Sequence, residues 1–359
     1  MPLIGIIANP SSGKDIRRLV ADADGVDNQH KARIVRRALR GIAATTAATT
    51  AATTAATTAA TNAATTAATN TGDPIRVAVM PEQADIRRRA VDGLQLPFPV
   101  TVLDSPCRGV AGDSQAAAEE LARQGAATII VLGGDGTHRM VAKGCTDLPL
   151  VPISTGTNNV WPQRNEGTLA GIAAALVAQG QVPTESACRQ TPRLDVLRDG
   201  QIIDMALVDV AACDIRVPGA RALWDIQRIH QLVLSQALPG VLGLSAIGGS
   251  LPPPPDGVRR GLALEIGPGG DPVLAPIAPG LVVPVPVRSV RWIEPGERVA
   301  ILDRPGTLAL DGERETPIKT NDNLAVEFNP HGPTMVDVTL TLQLAADSNR
   351  FALTKTVAD

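Results

Sequence analysis

Between residues 128 and 138 the chain reads Thr128-Ile-Ile-Val-Leu-Gly-Gly-Asp-Gly-Thr-His138, an aliphatic run that breaks on a glycine pair. Ile129, Ile130, Val131 and Leu132 show no polar alternation, the pattern of a strand buried on both faces, and such strands belong to parallel sheets covered by helices. Gly133 and Gly134 end the ladder and a helix opens near Thr137, so the stretch predicts strand, tight turn, helix. Open α/β sheets bind ligands at the carboxyl ends of their strands, where this turn sits. Gly133, Gly134 and Gly136 lack a Cβ, so backbone N–H groups can close on an anion beside the positive end of the helix dipole. Asp135 would repel bare phosphate, so it implies a metal ion, a sugar hydroxyl or a hydroxyl awaiting deprotonation. The same residues also suit an ordinary βα turn capped by Asp135, and the five residues alone do not choose.

Two further strands end the same way. Leu3 to Ala8 runs into Asn9-Pro-Ser-Ser-Gly-Lys14-Asp15, and Leu150 to Ile153 runs into Ser154-Thr155-Gly156-Thr157-Asn158-Asn159. The first is not a Walker A loop, which would need Gly at Ala8 and Ser or Thr at Asp15. Ser11, Ser12 and Lys14 still offer two hydroxyls and a cation to a phosphate, or simply a capped turn with a solvated lysine. Three polar, glycine-bearing turns after three strands can converge on one ligand along the sheet edge.

The intervening segments alternate. Helices are expected over residues 27–42, 82–94, 113–124 (capped by Asp113), from the central turn to about 143, and over 165–179. Strands are expected over 75–80 and 100–103, giving a mostly parallel, doubly wound sheet. Lys31, Arg33, Arg36, Arg37 and Arg40 read as a solvated face. Residues 43–70 are seven copies of Ala-Ala-Thr-Thr or Ala-Ala-Thr-Asn, whose four-residue period builds no fixed apolar face, so a frayed helical extension is expected.

After about residue 185 the texture changes. Arg193 to Arg198, Asp199-Gly200 and Gln201 to Ala211 signal a hairpin. A helix is expected over 222–237, then short strands over 261–266, 281–291, 298–302, 307–310, 324–328 and 336–344, with scattered prolines suited to edges and turns. This half reads as a β-sandwich. The expected division is an α/β domain over 1–185, carrying the 43–70 insertion, and a β-rich domain over 186–344; residues 345–359 are a candidate to return to the first.

Composition removes several alternatives. Lys+Arg number 33 against 36 Asp+Glu, a net charge of −3, which disfavours nucleic acid as a partner. Tyr is absent and there are three Trp and three Phe, so aromatic platforms for bases are scarce. Cys107, Cys145, Cys188 and Cys213 form neither a CxxC pair nor a disulfide framework and read as reduced thiols. No leader and no apolar run of about 20 residues is seen, so no membrane span and a cytoplasmic location are expected.

With these residues in view, the chain resembles the ATP-NAD kinase and diacylglycerol kinase superfamily, and within it the acetoin catabolism protein X family. The resemblance rests on Asn9-Pro-Ser-Ser-Gly13, Gly133-Gly-Asp-Gly-Thr137, Gly156-Thr-Asn-Asn159 and Leu310-Asp-Gly-Glu-Arg314. The narrower likeness adds Gly219-Ala-Arg-Ala-Leu-Trp-Asp225 and Gly243-Leu-Ser-Ala-Ile-Gly-Gly249. It implies an α/β domain and a β-sandwich domain with a nucleotide site between them, Mg²⁺, and phosphoryl transfer from ATP or polyphosphate to a hydroxyl, with NAD the expected acceptor. Gly134, Asp135, Gly136 and Thr137 match the signature loop, Asp135 being the acid thought to act on the acceptor hydroxyl. Asn9, Ser12 and Gly13 match the first loop. Asp311 and Glu313 match the acidic pair of the lipid kinases, Glu313 as candidate base and Asp311, with Asp135, as candidate metal ligand. Lys14, Gly133, Thr155, Gly156, Thr157, Asn158 and Asn159 complete the expected nucleotide and phosphate site. Two departures stand out: Asn159 replaces the lipid kinases' Asp, and Val208-Asp209 stands where NAD kinases carry Asn-Glu. A nucleotide-binding accessory or regulatory protein without turnover, or a lipid kinase with an apolar acceptor groove, are the rival readings; homo-oligomerisation stays open.

Overall fold

The computed structural model describes residues 1–13, 25–60, 74–156, 158–214, 225–254, 256–258, 260–302 and 305–352. Lys14, Thr157, the repeat beyond Ala60 and all but Asp225 of the Gly219–Asp225 motif lie outside the described residues.

The first half builds β1 (Leu3–Ala8), α1 (Asn28–Ala60), β2 (Arg76–Val79), α2 (Ile86–Val91), β3 (Val100–Val102) and α3 (Gly112–Arg123). It continues with β4 (Ala126–Gly133), α4 (Asp135–Gly144), β5 (Leu150–Ser154), α5 (Gly167–Ala178) and the short α6 (Thr184–Ala187). Strands β6 (Cys188–Gln190), β7 (Arg193–Arg198), β8 (Gln201–Ala206), β9 (Asp209–Cys213) and β10 (Ile229–Leu234) follow, then the short α7 (Ser245–Gly249). The chain closes with β11 (Gly261–Ala278), β12 (Leu281–Ile293), β13 (Arg298–Ala300), β14 (Gly306–Leu310), β15 (Glu313–Ile318), β16 (Leu324–Asn329), β17 (Thr334–Val336) and α8 (Val338–Asp347).

Seven strands form the first sheet in the order β3-β2-β1-β4-β5-β17-β6. All neighbours run parallel except β17 and β6. The chain leaves β1 to one side for β2 and β3 and crosses to the other for β4 and β5. The switch point therefore lies between β1 and β4, the place where open α/β sheets bind their ligands. Ile4, Ile6, Ile130, Leu132, Val151 and Ile153 pack under α1, α2, α5 and α8, while Ile7, Ile129 and Val131 face α3 and α4. Burial on both faces is why these strands read as unbroken aliphatic runs.

The second half folds into a six-stranded sheet, β12-β11-β10-β9-β14-β15, and a four-stranded sheet, β13-β16-β7-β8. One apolar cluster joins Val210, Ala212, Val233 and Leu308 of the former to Leu194, Val196, Val326 and Phe328 of the latter. Two antiparallel sheets thus pack face to face, as expected.

Several local expectations are corrected. Of the residues expected as a helix over 222–237, 222–224 lie outside the described residues, and those that follow hold a single 3₁₀ turn at Ile226–Arg228 and then β10, whose six residues are all buried between β9 and β11. Ile226, Ile229 and Val233 fall at helical spacing, but a short apolar run buried on both faces carries no period of its own. The strand expected over 201–211 splits at Leu207–Val208, where the chain passes from one antiparallel sheet to the other. The strand expected over 336–344 is β17 followed by α8, because Asp337 accepts the Leu340 N–H at 3.0 Å and caps a helix. The helix expected over 82–94 shrinks to α2, since the Glu82 carboxylate takes the Ala84 N–H in the preceding turn and the Arg87 N–H in the first turn of the helix. Asp113 lies inside α3 and takes the N–H groups of Arg108, Gly109 and Val110 from the loop before it.

Candidate functional site

Three neighbouring strands, β1, β4 and β5, deliver their three loops to one place, and side chains tie the loops together. Asn9 Nδ2 donates to Thr137 Oγ1 at 2.9 Å, and Ser12 and Thr155 share a hydroxyl hydrogen bond at 2.6 Å. The Thr155 N–H donates to the Gly133 carbonyl at 3.0 Å. A Cβ on Gly134 would lie 2.9 Å from Asn159 Oδ1, and one on Gly156 would lie 2.5 Å from that oxygen and 3.0 Å from the Gly134 Cα. Glycine is needed here because two backbones pass with no room for a side chain. Gly13, at φ +74°, leads the first loop past the Thr155 carbonyl, 2.6 Å from where its Cβ would be.

The first loop is held from below. Lys31 on α1 is 0 % exposed, and its ammonium donates to the carbonyls of Asn9 at 2.9 Å and Ser12 at 2.7 Å. It was expected on a solvated face; instead it gives the turn's carbonyls a buried partner. Beside this loop a cleft of about 210 Å³ opens, lined by Asn9, Ser11, Met80, Gln83, Cys107 and Val110 among others.

Asp135 begins α4 and is 8 % exposed. Its carboxylate accepts the Trp161 N–H at 2.8 Å and the Val160 N–H at 3.1 Å, so it ties the signature loop to the segment after the third loop. Asn159 Nδ2 donates to Ser154 Oγ at 2.6 Å, and Asn158 Nδ2 donates to the Ile277 carbonyl at 3.0 Å, joining the third loop to β11. Behind Asp135 lies His138, fully buried, with Nδ1–H donating to the Gly134 carbonyl at 2.9 Å and its ring 5.1 Å from that of Trp161. Burial pushes its pKa down to about 4, so the ring is neutral at pH 7.

The antiparallel half contributes the turn between β14 and β15. Glu313 reaches the signature loop: its Oε1 lies 3.4 Å from where a Cβ on Gly136 would sit. Asp311, expected beside a metal, is buried with its oxygens on backbone N–H groups of Leu207 at 3.0 Å and Val208 at 2.8 Å, and Arg139 Nε stands 3.5 Å away. Burial raises its pKa, with Arg139 pulling the other way. Among the described residues no group of three or more His, Cys, Asp or Glu is placed to hold a metal ion. The two expected carboxylates are engaged with backbone donors, so the side chains present do not by themselves fit the magnesium site expected of Asp135 and Asp311.

Asn9, Ser12, Gly13, Gly133, Gly134, Asp135, Gly136, Thr137, Thr155, Gly156, Asn158, Asn159 and Glu313 are thus brought together at and beside the ends of β1, β4 and β5, and Asp311 turns inward from the Glu313 turn. Sequence reasoning missed Lys31, His138 and Arg139, the last 1 % exposed. Their only signal was a charged or polar residue on a helix face that otherwise points to the core. All four cysteines are free; burial pushes the Cys145 thiol up to about 12 and the Cys188 thiol up to about 11, so neither is a ready nucleophile. No helix among the described residues is long and apolar enough to cross a membrane.

Comparison with known proteins adds five likenesses. The family described as ATP-NAD kinase N-terminal domain matches residues 4–182, and the acetoin catabolism protein X C-terminal domain matches residues 192–331. Acetoin catabolism protein X of Cupriavidus necator is 36% identical over 352 residues, covering 94% of this chain and 90% of that protein. An NAD kinase from Archaeoglobus fulgidus, solved in complex with ATP, is similar at 14% identity and a TM-score of 0.38, over 77% of this chain and 100% of the other. A diacylglycerol kinase from Bacillus anthracis str. Sterne is similar at 12% identity and a TM-score of 0.42, over 93% of this chain and 96% of the other.

Proposed function

We propose, on the premise that this chain belongs to the acetoin catabolism protein X family, that its kinase-like fold is a phosphotransferase of NAD-kinase type. It moves a phosphoryl group from ATP or polyphosphate to a hydroxyl, with NAD the favoured acceptor. The observation that carries this reading is the convergence of three polar glycine loops at the switch point between β1 and β4, tied by the Asn9–Thr137 and Ser12–Thr155 hydrogen bonds. Phosphoryl transfer asks a protein mainly for positioning and charge placement, which such loops supply. The phosphate chain is assigned to Gly133, Gly134, Gly136, Thr155 and Gly156 at the start of α4, and the nucleoside to the cleft beside Asn9 and Ser11.

Glu313, half-buried against Gly136, is assigned as the base. It takes the acceptor's hydroxyl proton while that oxygen bonds to the terminal phosphorus and the bond from this phosphorus to the leaving phosphate oxygen breaks. Asp135 is assigned to hold the signature and third loops in register, the employment its bonds to Val160 and Trp161 support, with its charge beside the acceptor hydroxyl. Two domains, 1–185 and 186–344, with β17 returning to the first sheet, are part of the same reading.

The engaged carboxylates and the Asn at 159 favour one rival, a nucleotide-binding accessory protein without turnover. Purified full-length chain should be incubated with Mg²⁺-ATP and, separately, polyphosphate, against NAD, sugar and lipid-vesicle acceptors, with products identified by mass. Phosphorylated NAD is the expected outcome. Tight ATP binding without any product would install the rival, product only from vesicles would point to a lipid kinase, and no binding at all would sink the nucleotide site.

A further inference from the structure

The turn that carries Glu313 is fixed to the signature helix through Asp311 and Arg139. Asp311 and Gly312 both take left-handed backbone, at φ +50° and +77°, in a two-residue turn closed by the Leu310–Glu313 pair. Its backbone N–H donates to the Asp209 carbonyl at 2.9 Å, and its Oδ1 accepts from Leu207, Val208 and Asp209, the last at 3.3 Å. This is the stretch where the chain passes between the two antiparallel sheets. Arg139 faces Asp311 Oδ2 at 3.5 Å and Asp204 at 3.4 Å, and Lys143, one turn on, reaches Asp204 at 2.9 Å. Helix α4 therefore meets the turn twice, at Gly136 through Glu313 and three residues later at Arg139 through Asp311.

We propose that Arg139 and Asp311 are a positioning pair that sets the Glu313 carboxylate against Gly136, and that Asp311 acts through this pair and not as a metal ligand. A buried carboxylate held by three N–H groups and a guanidinium has a fixed orientation, and breaking one partner leaves the other uncompensated. The turn would then relax and Glu313 swing away. The proposal rests on the reading of the loops as a phosphate site, and a probe without a base or an acceptor separates the two.

Inorganic tripolyphosphate affinity should be measured by calorimetry on the full chain, with EDTA and with Mg²⁺, for wild type, Asp311→Asn, Glu313→Gln and the double variant. Glu313 beside the loop opposes the anion, so Glu313→Gln should tighten binding roughly five-fold, the worth of one nearby like charge. Asp311→Asn should tighten it by at least about two-fold, with no further gain in the Glu313→Gln background, because displacing an already neutral side chain changes nothing. Equal effects of Asp311→Asn in both backgrounds, or a loss of affinity, would make it a scaffold residue and overturn the proposal. So would an effect seen only with Mg²⁺, which marks a metal ligand. If Asp311→Asn does not fold, Arg139→Lys, which keeps the charge but not the fork, is read the same way. A wild type that binds no tripolyphosphate would remove the phosphate site and the proposal with it; binding of tripolyphosphate but no tighter binding of ATP would remove only the nucleotide reading.

Discussion

His138 shows how one side chain in the signature stretch serves the loop without touching its ligand. Its Nδ1–H braces the Gly134 carbonyl and its ring packs on Trp161, whose backbone N–H holds Asp135. Burial lowers its pKa from 6.5 to about 4. As pH falls below 6.5 the unfolded chain takes up a proton that the folded chain refuses. The contribution is therefore complete above that pH and drains away as pH falls to about 4, by roughly 3 kcal/mol in total. Denaturant unfolding at about pH 7 and pH 4.5 should show His138→Gln less stable than wild type at the higher pH and the gap narrowing at the lower. An unchanged gap would mean that His138 is not the titrating group. The glycines and hydroxyls around it were legible because their chemistry is local. Lys31, His138 and Arg139 were not, since a sequence does not say that a charged residue on a helix faces a carbonyl or a carboxylate folded in from elsewhere.

At the level of elements, α1 and α5 approach closely on a face of small residues. A Cβ on Gly41 would meet the Thr168 carbonyl at 2.2 Å, and one on Gly171 would meet the Ala38 carbonyl at 2.1 Å. Both obstacles are backbone and cannot turn aside. Gly171→Ala should destabilise by about 2 kcal/mol, the cost of forcing packed elements apart less the helix propensity gained, read as a lower midpoint in denaturant. A stabilised variant would show that the helices are more loosely packed. The same interface revises the reading of the repeat. Ala43 packs on the core and Thr46 is buried with its hydroxyl on the Ile42 carbonyl at 2.9 Å, so the first copy belongs to the α1 surface. Propensity predicted helix here, and helix continues to Ala60. What it could not predict was packing, because Ala and Thr acquire a buried side only from what lies opposite.

The whole molecule is closed by its last described elements. β17 lies between β5 and β6 in the first sheet, Met335 and Val336 are buried, and Thr191 Oγ1 links Trp161 Nε1 at 3.1 Å to the Pro333 carbonyl at 2.8 Å. α8 then covers the same face as α5. A chain ending at residue 330 should lose this strand from the middle of a sheet and leave an apolar edge. Insoluble protein, or loss of a single cooperative unfolding transition, is the expected result; a soluble, ATP-binding fragment would show that β17 is dispensable.

The amino-acid sequence by itself determined the parallel sheet and the antiparallel half that follows it, because burial on both faces and turn chemistry are written in neighbouring residues. It also marked the three glycine loops, whose backbone approach admits no side chain. Tertiary structure alone decided that β10 is a strand, since a short apolar run takes its conformation from what pairs or packs with it. It alone decided that Glu313 meets Gly136 while Asp311, two residues away, turns inward to Arg139. That division follows from a hairpin turn and a crossing chain far away in sequence, 104 residues for the Asp311–Leu207 bond, and no local pattern encodes it.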